Sequence, residues 1–121
     1  MSNKLEKAVR NPSLAYAKRK GFKLSTAPLR ELDLNDFVGV HKRMHFGNGA
    51  AGGWPDDLFV FSGGHNWWVE FKGEEGAASA LQKLVHDNLD LLDADVTICS
   101  SVEEFKAELD ERLAWFRLEL Q

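Results

Sequence analysis

The chain of 121 residues has a single cysteine, Cys99, which excludes an internal disulfide framework and a zinc site built on thiolates. A reducing compartment is the simpler expectation. Cys99 lies in the apolar run from Val96 to Cys99, where a buried, inert thiol is expected rather than a nucleophile. No stretch approaches the roughly 18 consecutive apolar residues of a membrane span. The N-terminus is charged and lacks the apolar segment of a signal peptide, so the expectation is a soluble, intracellular (cytoplasmic) protein with no membrane partner. Internal repeats and low-complexity segments are absent as well.

Hydrophobic residues make up 44% of the chain and include four tryptophans, enough to fill the core of one domain spanning residues 1–121. The net charge of −4 argues mildly against a nucleic-acid partner, but it hides an asymmetry. Residues 1–45 carry ten Lys/Arg against four Asp/Glu, and the remainder five against fifteen. Because salt screens charges over about 10 Å, a basic N-terminal portion can act as a local phosphate-binding face on an acidic protein. Solvated helix faces explain the same residues equally well.

Asn3 followed by Glu6 resembles a capping box, and Leu5, Ala8 and Val9 recur at helical spacing. Asn11-Pro12 is expected to interrupt or kink this helix, which resumes through Leu14, Ala15 and Ala17 to Lys20, with Gly21 suited to the C-cap. Lys18, Arg19, Lys20 and Lys23 near that end complement the helix dipole. From Ser25 to Asp36 no period stands out, and a loop or short irregular helix is expected. A strand is predicted from about Val38 to His45, followed by a glycine-rich segment from Gly47 to Gly53.

The spacing of Gly47, Gly49 and Gly52 matches the dinucleotide fingerprint superficially, but Trp54-Pro55 and a strand follow where that fingerprint needs a helix N-terminus. No nucleotide cofactor is therefore expected. His41 and His45 would share a metal only on a helix. In a strand they lie roughly 13 Å apart, so surface or nucleic-acid-facing histidines are the default.

The chain is organised around the stretch from Gly52 to Lys72. Apolar runs from Leu58 to Phe61 and from Trp67 to Phe71 flank Gly63-Gly64, the pattern of two antiparallel strands joined by a glycine-dependent turn. A loop of three to five residues places Phe61 opposite His65, Asn66 or Trp67, and Asp56 then falls opposite Glu70, Phe71 or Lys72. Every register brings the charges together. Strand alternation puts Trp67, Val69 and Phe71 on one face and Trp68, Glu70 and Lys72 on the other.

An amphipathic helix is predicted from Ser79 to Leu92, with Leu81, Leu84, Val85, Asn88 and Leu92 as its stripe and Gln82 and His86 on the border. Asp95 to Cys99 reads as a strand parallel to one hairpin strand, because a helix connects them. Ser101 and Glu104 form a capping box for a last helix whose stripe is Val102, Phe105, Leu109, Leu113, Phe116 and Leu120. Trp115 and Leu118 fall off that stripe, as a dimer contact or as half-exposed terminal residues.

Two carboxylates held together repel unless a cation lies between them. Mg2+ and Mn2+ accept carboxylate and carbonyl oxygens, so Asp56, Glu70 and the Phe71 backbone carbonyl form a reasonable partial shell. Lys72 beside them would orient or help deprotonate the attacking water and offset phosphoryl charge. Such a set hydrolyses phosphodiesters.

These residues resemble the PD-(D/E)xK nuclease superfamily, and within it the virus-type replication-repair nucleases (VRR-NUC), many of them small phage proteins. The resemblance covers roughly residues 52–109. It is carried by Gly53-Trp54-Pro55-Asp56, by Val69-Glu70-Phe71-Lys72, by Gln82 ten residues beyond the lysine and by His86 four further on. It implies an α/β fold with a restriction-endonuclease-like core, a mixed β-sheet flanked by α-helices. Asp56 and Glu70 are then metal ligands, Lys72 is catalytic and Gln82 assists, with Glu6 of the first helix as a further candidate ligand. Trp54 stands where a small or β-branched residue is common in the family, and Asp57 where a basic or neutral one is.

The expectation is a Mg2+- or Mn2+-dependent DNA endonuclease, phage-encoded in a bacterial host. By resemblance it is a homodimer acting on branched, Holliday-junction-like DNA. Lys18, Arg19, Lys42, Arg43 and His86 are the candidate nucleic-acid contacts. The rival is a DNA-binding or assembly module on the same fold without useful catalysis. A restriction-type enzyme reading duplex sequence would need an additional recognition element, and none is visible.

Overall fold

A computed structural model describes residues 3–29, 36–44, 53–73 and 80–118. Their order is α1 (Asn3–Lys20), β1 (Phe22–Leu24), β2 (Gly39–Arg43), β3 (Asp57–Phe61), β4 (Asn66–Phe71), α2 (Ala80–Leu91), β5 (Asp95–Cys99) and α3 (Val102–Phe116). The five strands form one mixed sheet in sequence order. Strands β1 and β2 are parallel, β2–β3 and β3–β4 antiparallel, and β4 and β5 parallel. The protein is thus an α/β domain with a five-stranded mixed sheet flanked by three helices. Among the described residues no helix is long and apolar enough to cross a membrane.

The core lies between the sheet and the α1–α3 pair. Phe59, Phe61, Trp67, Val69 and Phe71 alternate along the hairpin strands and are at most 1% exposed, and they meet Phe105, Leu109 and Leu113 of α3 and Val9 and Ala17 of α1. Six aromatic rings carry much of this contact. Trp67 stacks on Phe105 at 5.4 Å, and Phe22 sets its edge against Phe59 and Phe61 at 5.2 and 5.3 Å. Such offset and edge-on pairs add about 0.5–1.5 kcal/mol each beyond the area they bury.

Helix α1 does not break at Asn11-Pro12 as its sequence led one to expect. Proline removes one N–H and crowds the carbonyl of residue i−4, here Ala8. Both Pro12 and Ala8 are exposed, so water can satisfy that carbonyl. The opposite stripe, Val9, Ser13 and Ala17, is buried at i, i+4 and i+8 and holds the helix to the core. The segment after it differs too. Phe22–Leu24 forms an edge strand that no sequence period announced, because three residues are too few to show alternation.

At the hairpin, Gly63 and Gly64 both adopt positive φ, 101° and 92°, which side chains resist and a tight turn of this hand requires. The Phe61 N–H donates to the His65 carbonyl at 2.8 Å, so the loop holds three residues. The ladder pairs Asp57 with Val69, Leu58 with Trp68 and Phe59 with Trp67. One position further, Asp56 lies opposite Glu70, one of the three expected registers.

Ser101 caps α3 as expected: its hydroxyl accepts from the Glu104 N–H at 3.1 Å, while the Glu104 carboxylate accepts from the Ser100 N–H at 3.2 Å. The buried Arg112 of α3 had no sequence signal. It binds Asp95 of β5 through two hydrogen bonds of 2.6 and 2.8 Å, reaches Glu108, and lies 4.4 Å from the Trp67 ring centroid. His65 closes the same cluster with a 2.8 Å bond to Asp95.

Candidate active site

Pleating sends Asp57, Val69 and Phe71 toward the α1–α3 core and Asp56, Glu70 and Lys72 to the opposite face, where α2 lies. Glu70 is 1% exposed. Burial, followed by the carboxyl of Asp56 beside it and more weakly by Glu6, raises its pKa to about 9, against the opposing pull of Lys72. Glu70 therefore keeps a proton near neutral pH in the absence of a cation. No donor reaches Oε1 of Glu70. An acceptor left bare in the interior costs free energy, and a proton or a cation between the carboxyls would satisfy it.

Lys72 is buried on the same face, its Nζ 3.8 Å from Oε2 of Glu70. It donates to Oε1 of Gln82 at 3.0 Å. Gln82 belongs to the first turn of α2, so the helix that follows the hairpin reaches back to hold the lysine. His86, one turn later, has a buried Nε2 with no partner. Its pKa is lowered, first by burial and then by the charge of Lys72, so near neutral pH the imidazole is uncharged.

These contacts require α2 to turn a polar face inward, which reverses the sequence expectation. Leu81 and Leu84 are 50% and 56% exposed and Leu92 is exposed as well. The inward positions are Gln82, Val85, His86 and Leu89, of which Leu89 alone is fully buried. Leu81, Leu84 and Leu92 of the stripe are turned away while Val85 stays inward, because the sheet offers a carboxylate and a lysine at this place rather than apolar surface.

The other expected residues divide. Glu6 lies near enough to Glu70 to add to its repulsion, so the first helix does bring its acid to the pair. Phe71 ends β4 with its ring in the core, and its carbonyl lies at the strand end between Glu70 and Lys72. Lys42 pairs with Leu58, and Leu58 with Trp68, so Lys42 shares the carboxylate face. Arg43 pairs with Asp57 and falls on the other face. Lys18 and Arg19 are exposed at the far end of α1, about 18 Å along the axis from Glu6, and are not brought to the site. Arg19 lies instead with Lys20 against Tyr16. His45, the Gly47–Gly52 portion of the glycine-rich segment and Ser79 lie outside the described residues.

His41 does not face solvent. Its Nε2 lies 2.6 Å from Oδ1 of Asp57, which also takes a two-pronged contact from Arg10 at 2.9 and 3.1 Å. Asp57 is fully buried. This triad ties α1, β2 and β3 together one residue from Asp56. Arg10 had no signal in the sequence, and His41 was expected at the surface, because their partner Asp57 is distant in the chain.

Among the described residues, no three His, Cys, Asp or Glu side chains are grouped to hold a metal by themselves. The donor set nevertheless suits a hard cation, which binds through one or two carboxylates and completes its shell from water and substrate. Two concavities lie elsewhere: one between α1 and α3 includes Arg19 and Arg117, and another lines α1 and β1. Neither contains a carboxylate pair. In comparisons with family models, curated proteins and solved structures, nothing matches this chain.

Proposed function

We propose that this protein is a Mg2+- or Mn2+-dependent endodeoxyribonuclease of the PD-(D/E)xK type, with the VRR-NUC arrangement of motifs. The observation that carries the reading is the buried Glu70 carboxyl beside the half-buried Asp56, with Lys72 3.8 Å from Glu70 and hydrogen-bonded to Gln82. Two carboxyls side by side with one lysine beside them are unfavourable for folding, and the arrangement is useful where a further cation must be held.

Asp56 and Glu70 would hold the ion, with the Phe71 carbonyl and Glu6 as further oxygen donors. The ion supplies Lewis-acid charge at the scissile phosphate. Lys72, fixed by Gln82, places an ammonium where negative charge grows on the phosphoryl oxygens and orients the attacking water. Gln82 keeps the lysine from collapsing onto Glu70. Uncharged His86 has an imidazole nitrogen available to a water or a phosphate oxygen. Lys42 adds positive charge on the same face. The preference for branched DNA, the homodimer and the phage-encoded, cytoplasmic setting rest on the family resemblance.

The test is cleavage of duplex, single-stranded, flap and four-way DNA with Mg2+ or Mn2+ and with chelator. Cutting that disappears with chelator and in Asp56→Ala and Lys72→Ala supports the enzyme. Binding to branched DNA without cutting under any metal condition would show a DNA-binding or assembly module instead.

A further inference from the structure

The loop that delivers Asp56 also displays a tryptophan. Trp54 is 37% exposed, although an indole gains more from burial than almost any other side chain. A loose loop does not explain that exposure. On one side of it Pro55 is fully buried. On the other, Gly53 has φ +88° and backs so closely onto α2 that an added Cβ would lie 2.8 Å from the Leu81 carbonyl oxygen. The ring itself leans on Trp68, centroids 5.5 Å apart and planes inclined at 57°. Trp68 is two residues before Glu70 on the carboxylate face, and Trp54 is two residues before Asp56. Trp68 thus stands about 7 Å along β4 from Glu70, and Trp54, which leans on it, precedes Asp56 by two residues.

We infer that Trp54, supported by Trp68, is a stacking platform for an unpaired nucleobase next to the scissile phosphate. The inference rests on the nuclease reading and names its substrate class: nucleic acid with at least one unpaired nucleotide at the site, such as a single strand, a fork or a branch point. In a continuous duplex each base is already stacked on its neighbours and has no free face for an indole. An unpaired base does, and every base offers a π-face, so the contact selects for structure and not for sequence. Because the ring is braced before binding, little side-chain freedom is lost on contact. Lys42 and Lys72 on the same face supply positive charge for the flanking phosphates.

The experiment measures Kd for three DNAs of matched length, a duplex, a fork and a single strand, with the Lys72→Ala protein in Mg2+. Trp54→Ala, Trp54→Leu and Trp54→Phe are compared on that background. Cleavage by Trp54 variants that keep Lys72 is followed in parallel. Stacking on an aromatic side chain is worth about 1–3 kcal/mol per base, so Ala and Leu should weaken fork and single-strand binding roughly 5- to 100-fold. Duplex binding should be unchanged and Phe should restore most of the loss. Circular dichroism melts identify any variant that fails to fold, and the Leu and Phe variants keep the apolar packing on Trp68. Equal losses on all three DNAs, or a Leu variant that binds as tightly as Trp, would overturn the platform while leaving the nuclease intact. If the unsubstituted protein neither binds nor cuts any of the three, both readings fall together.

Discussion

Replacing Glu70 by glutamine should make the metal-free protein more stable at neutral pH while removing its activity. In the folded state the Glu70 carboxyl titrates at about 9, against 4.5 for an unperturbed glutamate. Between those values the folded chain holds a proton that the unfolded chain has released. Stability therefore falls as pH rises through the window, by up to about 1.4 kcal/mol per pH unit for this one group. At pH 7 the accumulated cost is about 3 kcal/mol, and at pH 5 less than about 1 kcal/mol. Glutamine keeps the shape, stays neutral at every pH and presents an amide donor toward Asp56. Urea melts with chelator at pH 5, 7 and 8.5 should show Glu70→Gln close to the parent at pH 5 and more stable by about 2–3 kcal/mol at pH 7, with a gap that widens further at pH 8.5. Added Mg2+ should stabilise the parent and narrow that gap, because a cation replaces the missing proton. A gap that stays constant with pH would refute the description of Glu70 as a protonated buried carboxyl.

Two further outcomes concern the scaffold. Cys99 is fully buried and its thiol is pushed up to about 12, chiefly by burial and then by Glu104 and Glu108. A thiol reagent at pH 8 should leave the native protein unmodified and label it stoichiometrically in denaturant, as followed by mass spectrometry. Ser101→Ala removes the acceptor for the Glu104 N–H at the start of α3 and should lower unfolding free energy by about 0.5–2 kcal/mol in urea melts without altering the denaturant slope.

What could be read from the chain is what its local periods encode. The alternation around Gly63-Gly64 contained both faces of the hairpin, and the register could fall only among Glu70, Phe71 and Lys72. The Ser101–Glu104 pair announced α3, whose Phe105, Leu109 and Leu113 are buried as their spacing implied. Asp56, Glu70 and Lys72 were picked out by residue type and spacing and Gln82 by the family resemblance, and the structure brings them together on one face. The orientation of α2 was illegible, because an apolar stripe indicates the buried side only when the opposing surface is apolar. Here that surface carries Glu70 and Lys72, and the helix turns Gln82 and His86 to it. The contacts of Arg10, His41 and Arg112 were invisible for another reason. Each is defined by an acid brought near by the fold, Asp57 for the first two and Asp95 for the third. Pro12 misled because its cost depends on whether the affected carbonyl can be hydrated, which a sequence does not state.

Two adjacent aspartates show how the fold separates structure from chemistry. Asp57 turns into the core, where it is paired with the Arg10 guanidinium at 2.9 Å and lies in hydrogen-bond contact with His41 at 2.6 Å. Asp56, one residue earlier, turns the other way and meets another carboxyl, while the nearest cation, Lys72, is held by Gln82 at 3.8 Å from Glu70. If both acids served only folding, both would be compensated. The contrast predicts opposite signs for two isosteric changes. Asp57→Asn leaves Arg10 and His41 without their buried anion and should destabilise the protein by about 3–5 kcal/mol at pH 7, as breaking one side of a buried pair does. Glu70→Gln should stabilise it at the same pH. Urea melts of the two variants, side by side with chelator present, decide the matter. Losses of similar size in both would mean that Glu70 is a structural acid like Asp57, and the case for a cation site on this face would be lost with it.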